Sequence, residues 1–210
     1  MRGIIDGCII HGFDGSGIKL YNTGTAVKRG VHISGCYAFL CHVGIDIPHR
    51  SEHHLVSGCT CILNGMGIRN NGGNNQFTGN NLSSNGYGLF MDSENDYHSN
   101  NSHGGMDGCI IQHSKTNALY IKDQISGFVF TGCNIDNGGI YVKNSYGILL
   151  SACNFMGAFS IEIDNSKSVN FIGNNMRAYT SSHTSITGNS VVNFALNYDY
   201  NGNLIDPSAT

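Results

Sequence analysis

The amino-acid sequence predicts an all-β chain wound as a single-stranded parallel solenoid of about eight to nine coils, one for each repeat of roughly 20 to 30 residues. Three observations predict it. Of 210 residues, 29 are Gly, 26 Asn and 21 Ser, only 2 are Pro and 12% are charged; so many turn formers argue against a helical protein. A Gly-Cys or Gly-Asn pair recurs along the chain, and so does a Gly-Ile pair followed by alternating apolar and variable residues. Hydrophobic residues make up 40% and aromatics 10%, enough to bury a core rather than leave the chain disordered.

The punctuating pair sets the beat. Cys8, Cys36, Cys59, Cys109 and Cys133 each follow Gly, Cys153 follows Ala152, and Gly79-Asn80 and Gly173-Asn174 fill the remaining positions. Successive gaps from Cys8 to Asn174 are 28, 23, 21, 29, 24, 20 and 21 residues. No two cysteines have the C-x-x-C spacing of a zinc site, so the thiols are expected as small buried residues of a repeat, with no metal and no cofactor. Ahead of the pair stand short apolar strands such as Val31-His32-Ile33, Phe128-Val129-Phe130, Ile148-Leu149-Leu150 and Val169-Asn170-Phe171. After it come a short strand and then the Gly-Ile strand, with Ile18, Ile45, Ile68, Leu89, Leu119, Ile140 and Ile161 as its inward column. Like strands stacked on like strands must pair in parallel, about 4.8 Å apart. An Asn at the buried turn can satisfy backbone groups along the stack, and Cys fills the same niche without that need. The repeat places the solenoid at residues 1–188, with 189–210 as a terminal coil, cap or C-terminal extension.

Several function classes are excluded as expectations. No window approaches 18 consecutive apolar residues, so no membrane insertion is expected. A net charge of −3 with scattered Lys and Arg offers no stripe for nucleic acid. The opening residues, with Asp6 inside a short apolar run, lack the apolar core of a signal peptide.

The repeat, with its Gly-Cys/Asn turn and Gly-Ile strand, resembles the right-handed parallel β-helix of the pectate-lyase-like superfamily from about Gly7 to Gly188. That superfamily holds pectate lyases, polygalacturonases, alginate epimerases and bacteriophage tailspike depolymerases, and the repeat alone does not choose among them. The resemblance implies that the Gly-Ile sheet floors a carbohydrate groove. Its first outward row would be Lys19, Asp46, Arg69, Phe90, Tyr120, Tyr141 and Glu162, and its second Tyr21, Pro48, Asn71, Asp92, Lys122, Lys143 and Asp164. Aromatic faces stack on sugars, Arg and Lys bind acidic sugars, and carboxylates do acid-base work.

Loop lengths point to the same sheet. Two connections leaving it are stretched, Ile18 to Cys36 over 18 residues and Leu89 to Cys109 over 20. The longer holds Asp92, Glu94, Asp96, Asp107, His98 and His103. A glycosidase needs two carboxylates flanking one bond, and Asp92, Glu94, Asp46 and Asp96 are the candidates. A lyase needs a base and a group that neutralises a uronate; Arg69, Tyr120, Lys122 and His98 could serve. Phe90, Tyr141 and Lys143 complete the expected substrate-binding set. The His-rich run from His49 to His54 is expected as a solvated connecting turn. The acidic calcium cluster of a pectate lyase and the paired-Asp signature of polygalacturonases are not recognisable.

Among these relatives the chain looks most like a phage tailspike domain: the first Gly-Cys comes at residue 7, without the capping helix usual in free-standing enzymes. That resemblance implies a homotrimer in the virion, or a secreted protein, that binds and cleaves a bacterial surface polysaccharide. Free cysteines suit folding in a reducing cytosol. A bacterial polysaccharide lyase or epimerase, and a non-catalytic carbohydrate-binding or structural rod, remain open.

Overall fold

Each repeat supplies three short segments that alternate apolar and polar residues, separated by residues suited to corners. In the computed structural model, which describes residues 3–21, 28–93, 103–177, 179 and 181–205, these segments stack into three parallel sheets. The first sheet has nine strands, from Gly3–Asp6 through Val31–Ser34 and Phe128–Thr131 to Val192–Ala195. The second has eight, the short strands after the Gly-Cys/Asn corner, from Ile9–His11 to Asn175–Met176. The third also has eight: Ser16–Lys19, Val43–Ile47, Met66–Asn70, Tyr87–Asp92, Asn117–Lys122, Gly139–Lys143, Ile161–Asp164 and Thr184–Thr187. Every pairing within them is parallel, so the chain is an all-β parallel solenoid. Among the described residues the helical content is a single turn, Ser181–His183. A two-strand sheet that the repeat does not predict joins Lys28–Arg29 to Ser51–Glu52.

The corners explain the repeat. Between the first and second sheets Gly7, Gly35, Gly58, Gly79, Gly108, Gly132 and Gly173 hold φ from +57° to +65°, where a side chain is disfavoured. Ala152 and Leu196 take the same conformation with a Cβ. Except at Cys8, the residue that follows is buried. Asn80 accepts the Cys59 N–H at 2.9 Å and donates to the Val56 carbonyl at 2.9 Å, and Asn174 likewise serves Cys153 and Leu150 at 2.8 and 3.0 Å. Where Cys stands, its thiol donates weakly to the carbonyl two residues back, as Cys59 does to Ser57 at 3.5 Å. The cysteine niche is therefore polar too, though far less demanding. Seven of the eight thiols are buried and Cys8 is exposed.

Two further ladders line the other corners. Between the second and third sheets Asn64 accepts the Cys41 N–H, and Asn85 accepts that of Asn64, each at 2.9 Å. Between the third and first sheets the Gln124, Ser145 and Ser166 N–H groups donate in turn to the hydroxyls of Ser145, Ser166 and Ser190. Buried backbone groups at corners must be satisfied, and these side chains do it from the neighbouring coil.

Inside, the column Ile18, Ile45, Ile68, Leu89, Leu119, Ile140 and Ile161 runs in register along the third sheet. It packs against Phe77, Phe128, Phe130, Phe155 and Phe171, all fully buried. The Gly of Gly-Ile is needed for close approach: a Cβ on Gly44 would lie 2.6 Å from the Gly67 carbonyl oxygen. Asn70, the polar exception in the second inward column, is buried with its Oδ1 accepting from Asn75 Nδ2 at 2.9 Å. Beyond residue 189 the described chain continues the stack, Val192–Ala195 pairing in parallel with Val169–Ile172. It closes in a turn where Asp199 accepts from Asn201 and Asn203 and Ile205 is buried.

Candidate functional site

Strand register fixes which side chains share the outer face of the third sheet. Lys19, Asp46, Arg69, Phe90, Tyr120, Tyr141 and Glu162 are successive partners, which is the first outward row. Asp92, Lys122, Lys143 and Asp164 follow in the second row. These eleven positions lie where alternation places them. Glu94, Asp96 and His98 lie outside the described residues.

Opposite charges on adjacent coils pair. Arg69 donates from Nε to Asp46 Oδ1 at 2.8 Å and from Nη2 to Oδ2 at 2.6 Å. Ser16 donates to the same carboxylate at 3.1 Å and Lys19 Nζ lies 3.6 Å away. Asp46 is 0% exposed, so its oxygens face donors rather than an incoming ligand. The pair holds the Arg69 guanidinium above its ordinary range. Lys122 Nζ sits 3.2 Å from Asp92 Oδ2 and 3.5 Å from Asp123 Oδ2. Burial pulls the Lys122 ammonium down, but the bond to Asp92 and the two acidic charges push it up overall. Lys143 pairs with Asp164 at 3.0 Å, which raises the lysine and, with Thr187, lowers the carboxyl.

The aromatics stack on one another. Phe90 and Tyr120 are parallel within 2° at 4.7 Å, and Tyr120 and Tyr141 within 14° at 5.0 Å, with Tyr87 edge-on to both Phe90 and Tyr120. An in-register column about 4.8 Å apart gives flat rings this geometry. The Tyr120 faces are therefore occupied by its neighbours, and the ladder presents edges to a ligand. Burial, then the Asp92 charge, raises the Tyr120 hydroxyl. Phe90 is the end of the stack and has its other face toward the coil of Arg69.

A depression of about 380 Å³ opens there, lined by His49, Met66, Arg69, Asn71, Phe90, Asp92 and Ser93. Of the expected site residues it gathers Arg69, Phe90 and Asp92; Tyr120, Tyr141, Lys122 and Lys143 continue along the rod from it, and Asp46 lies beneath Arg69. Asn71 Oδ1 accepts the Asp92 N–H at 3.2 Å, and Gln124, fully buried, donates to Ser93 Oγ at 2.9 Å, fixing the strand end where the longer insertion departs. Arg50 Nε donates to His49 Nε2 at 3.2 Å. His49, Met66, Asn71 and Ser93 were not among the expected site residues. Asn71 was legible as a row position, whereas His49 comes from the corner read as a solvated turn, and nothing in the repeat marks Met66. Among the described residues no group of three or more His, Cys, Asp or Glu could hold a metal ion.

Fold and face together define a parallel β-solenoid whose third sheet carries a mixed aromatic and ion-paired surface with one end opening into a depression. No known protein family matches the chain, and no curated protein sequence matches it.

Proposed function

We propose that this chain is a tailspike-like solenoid that binds a bacterial surface polysaccharide along the third sheet and cleaves it at the Asp92 end of the depression. One observation carries this reading: the depression lies where the aromatic ladder ends, beside the strand end from which the longest insertion leaves. A glycan running along the rod would meet ring edges and the paired Lys-Asp row, then the open face of Phe90. Asp92 is 11% exposed at that point and would act with a second carboxylate, for which the insertion offers Glu94 and Asp96. The repeat's likeness to the pectate-lyase-like superfamily supports a glycan partner, and the tailspike reading carries with it a homotrimer.

Binding without cleavage is favoured by a different observation, the enclosure of Asp46, which leaves Asp92 as the one carboxylate lining the depression among the described residues. Incubation with bacterial capsule or lipopolysaccharide separates the two. New reducing ends, or unsaturated uronate absorbing in the ultraviolet, support cleavage. Retention of intact polysaccharide supports the binding rod. Full cleavage by an Asp92→Ala variant overturns the site assignment.

A further inference from the structure

The three cations expected to recognise acidic sugars are each committed to a carboxylate of their own chain. Arg69 pairs with Asp46, Lys122 with Asp92 and Asp123, and Lys143 with Asp164. On the third sheet beside the depression, Lys19, Arg69 and Lys122 are matched by Asp46, Asp92 and Asp123, and each of the two groups these residues form has an ion pair at 3.2 Å or shorter. The bidentate Arg69–Asp46 geometry uses the edge of the guanidinium that would otherwise fork onto a ligand carboxylate. A uronate entering here would have to compete with a fully buried, preorganised carboxylate, and would meet Asp92 at close range.

Apart from the imidazole of His49, whose Nε2 accepts from Arg50 Nε at 3.2 Å, what is left to a ligand is uncharged. Asn71 and Ser93 offer amide and hydroxyl groups, Phe90 a ring face and Met66 a thioether. Arg69 Nη1 keeps N–H donors with no partner among the described residues, suited to a hydroxyl or an amide oxygen.

We infer that the depression selects an uncharged sugar unit and excludes uronates, with Asp46 as the residue that sets this selectivity by holding the charge of Arg69. This rests on the carbohydrate reading above and narrows its substrate class. Polar groups with fixed geometry bind hydroxyls and amides with little dependence on ionic strength, whereas capture of a polyanion by cations is screened by salt.

The test uses the whole chain immobilised against an array of uncharged O-antigen oligosaccharides, with polygalacturonate and alginate beside them. Wild-type protein should retain uncharged members with less than about a twofold change between low and high salt, and the two polyuronates at least about tenfold more weakly. Asp46→Asn frees the Arg69 charge while leaving the lining side chains in place, and should raise polyuronate retention about fivefold or more, in a salt-sensitive way. Salt-sensitive retention of polyuronate by the wild type, or no gain in Asp46→Asn, overturns the inference and leaves glycan binding standing. A wild type that retains no glycan overturns the carbohydrate reading itself.

Discussion

Asp46 and Arg69, in register on neighbouring coils, form a two-pronged ion pair at 2.8 and 2.6 Å on the outer face of the third sheet, and the two partners are unequally buried. Asp46 is wholly enclosed, while the Arg69 side chain is 31% exposed.

That asymmetry gives the first prediction. Arg69 deprived of its partner can turn to water, but Asp46 cannot. Arg69→Gln should therefore cost about 3 kcal/mol, the lower end for breaking a buried pair, because Ser16 and Lys19 remain. Asp46→Asn should cost about 1 kcal/mol, and the double variant should resemble Asp46→Asn. Urea unfolding midpoints measure all three. Equal losses in the two single variants would show that Asp46 is less enclosed in solution.

The corner ladders predict a ranking of substitutions. Asn174→Ala removes the acceptor of the Cys153 N–H and the donor to the Leu150 carbonyl, leaving two buried backbone groups unpaired. At about 1–3 kcal/mol for each orphaned group the loss should be several kcal/mol. Asn174→Cys should cost clearly less, because this column accepts Cys elsewhere and a thiol can take a backbone N–H, as Cys109 does from Asn80 at 3.3 Å. Thermal or urea unfolding of the pair checks the order, and a Cys variant no better than Ala would refute it.

A buried histidine sets the pH dependence. His54 is buried, its Nδ1 accepts the Val31 N–H at 3.0 Å, and its Nε2 is enclosed without a partner among the described residues. Burial, then the charge of His53, lowers its pKa; the Glu52 carboxylate opposes this weakly. The folded state thus holds the neutral ring more firmly than the unfolded chain does. The stability this provides is complete above the ordinary histidine range and falls as pH drops from there toward the lowered value. Unfolding at successive pH values should show wild type losing stability across that window more than His54→Gln does. Parallel curves would mean that His54 does not carry the effect.

Cysteine reactivity should follow the stack. Burial pushes the Cys59 thiol up to about 11 and raises Cys61 further, so neither offers thiolate near neutrality. Of 8 cysteines, Cys8 is the exposed one. A thiol-specific chromogenic reagent should titrate one group quickly in the native protein and the rest only in denaturant. Fast reaction of a second thiol, or loss of none on Cys8→Ser, would contradict the stacking.

Much of this was legible in the repeat, for a physical reason. A residue recurring every coil faces the same way each time, so the sequence alone marks Ile68 and Leu89 as the inward column and Arg69 and Phe90 as the outward row. What alternation cannot express is how neighbours in a row use each other. Phe90 and Tyr120 sit in the predicted row, yet they stack together rather than on a ligand, and Lys122 turns to Asp92. The Asn64–Asn85 ladder is hidden in the sequence because its residues look like ordinary Asn-Gly turns. The depression depends on a coil-to-coil coincidence of Met66, Asn71 and Ser93, which no periodicity marks.

Those Asn-Gly pairs yield a last prediction. The chain has five, at Asn64, Asn71, Asn85, Asn137 and Asn201, and a Gly amide nitrogen following Asn can attack the side-chain carbonyl, expel ammonia and form a succinimide that opens to Asp or isoAsp. The attack requires the Asn side chain to rotate over its own backbone. Four are held: Asn64 and Asn85 accept backbone N–H bonds inside the corner ladder, Asn71 accepts that of Asp92, and Asn137 that of Ala158 at 3.0 Å. Asn201 is exposed at the closing turn, its side chain is without a hydrogen bond among the described residues, and Gly202 lies at φ +79°. Peptide mapping after mildly alkaline incubation should find conversion at Asn201 well ahead of the other four. Denaturant should erase the difference, since the protection belongs to the fold. Early conversion at Asn64 or Asn85 would mean that the corner ladder opens far more readily than its buried hydrogen bonds allow.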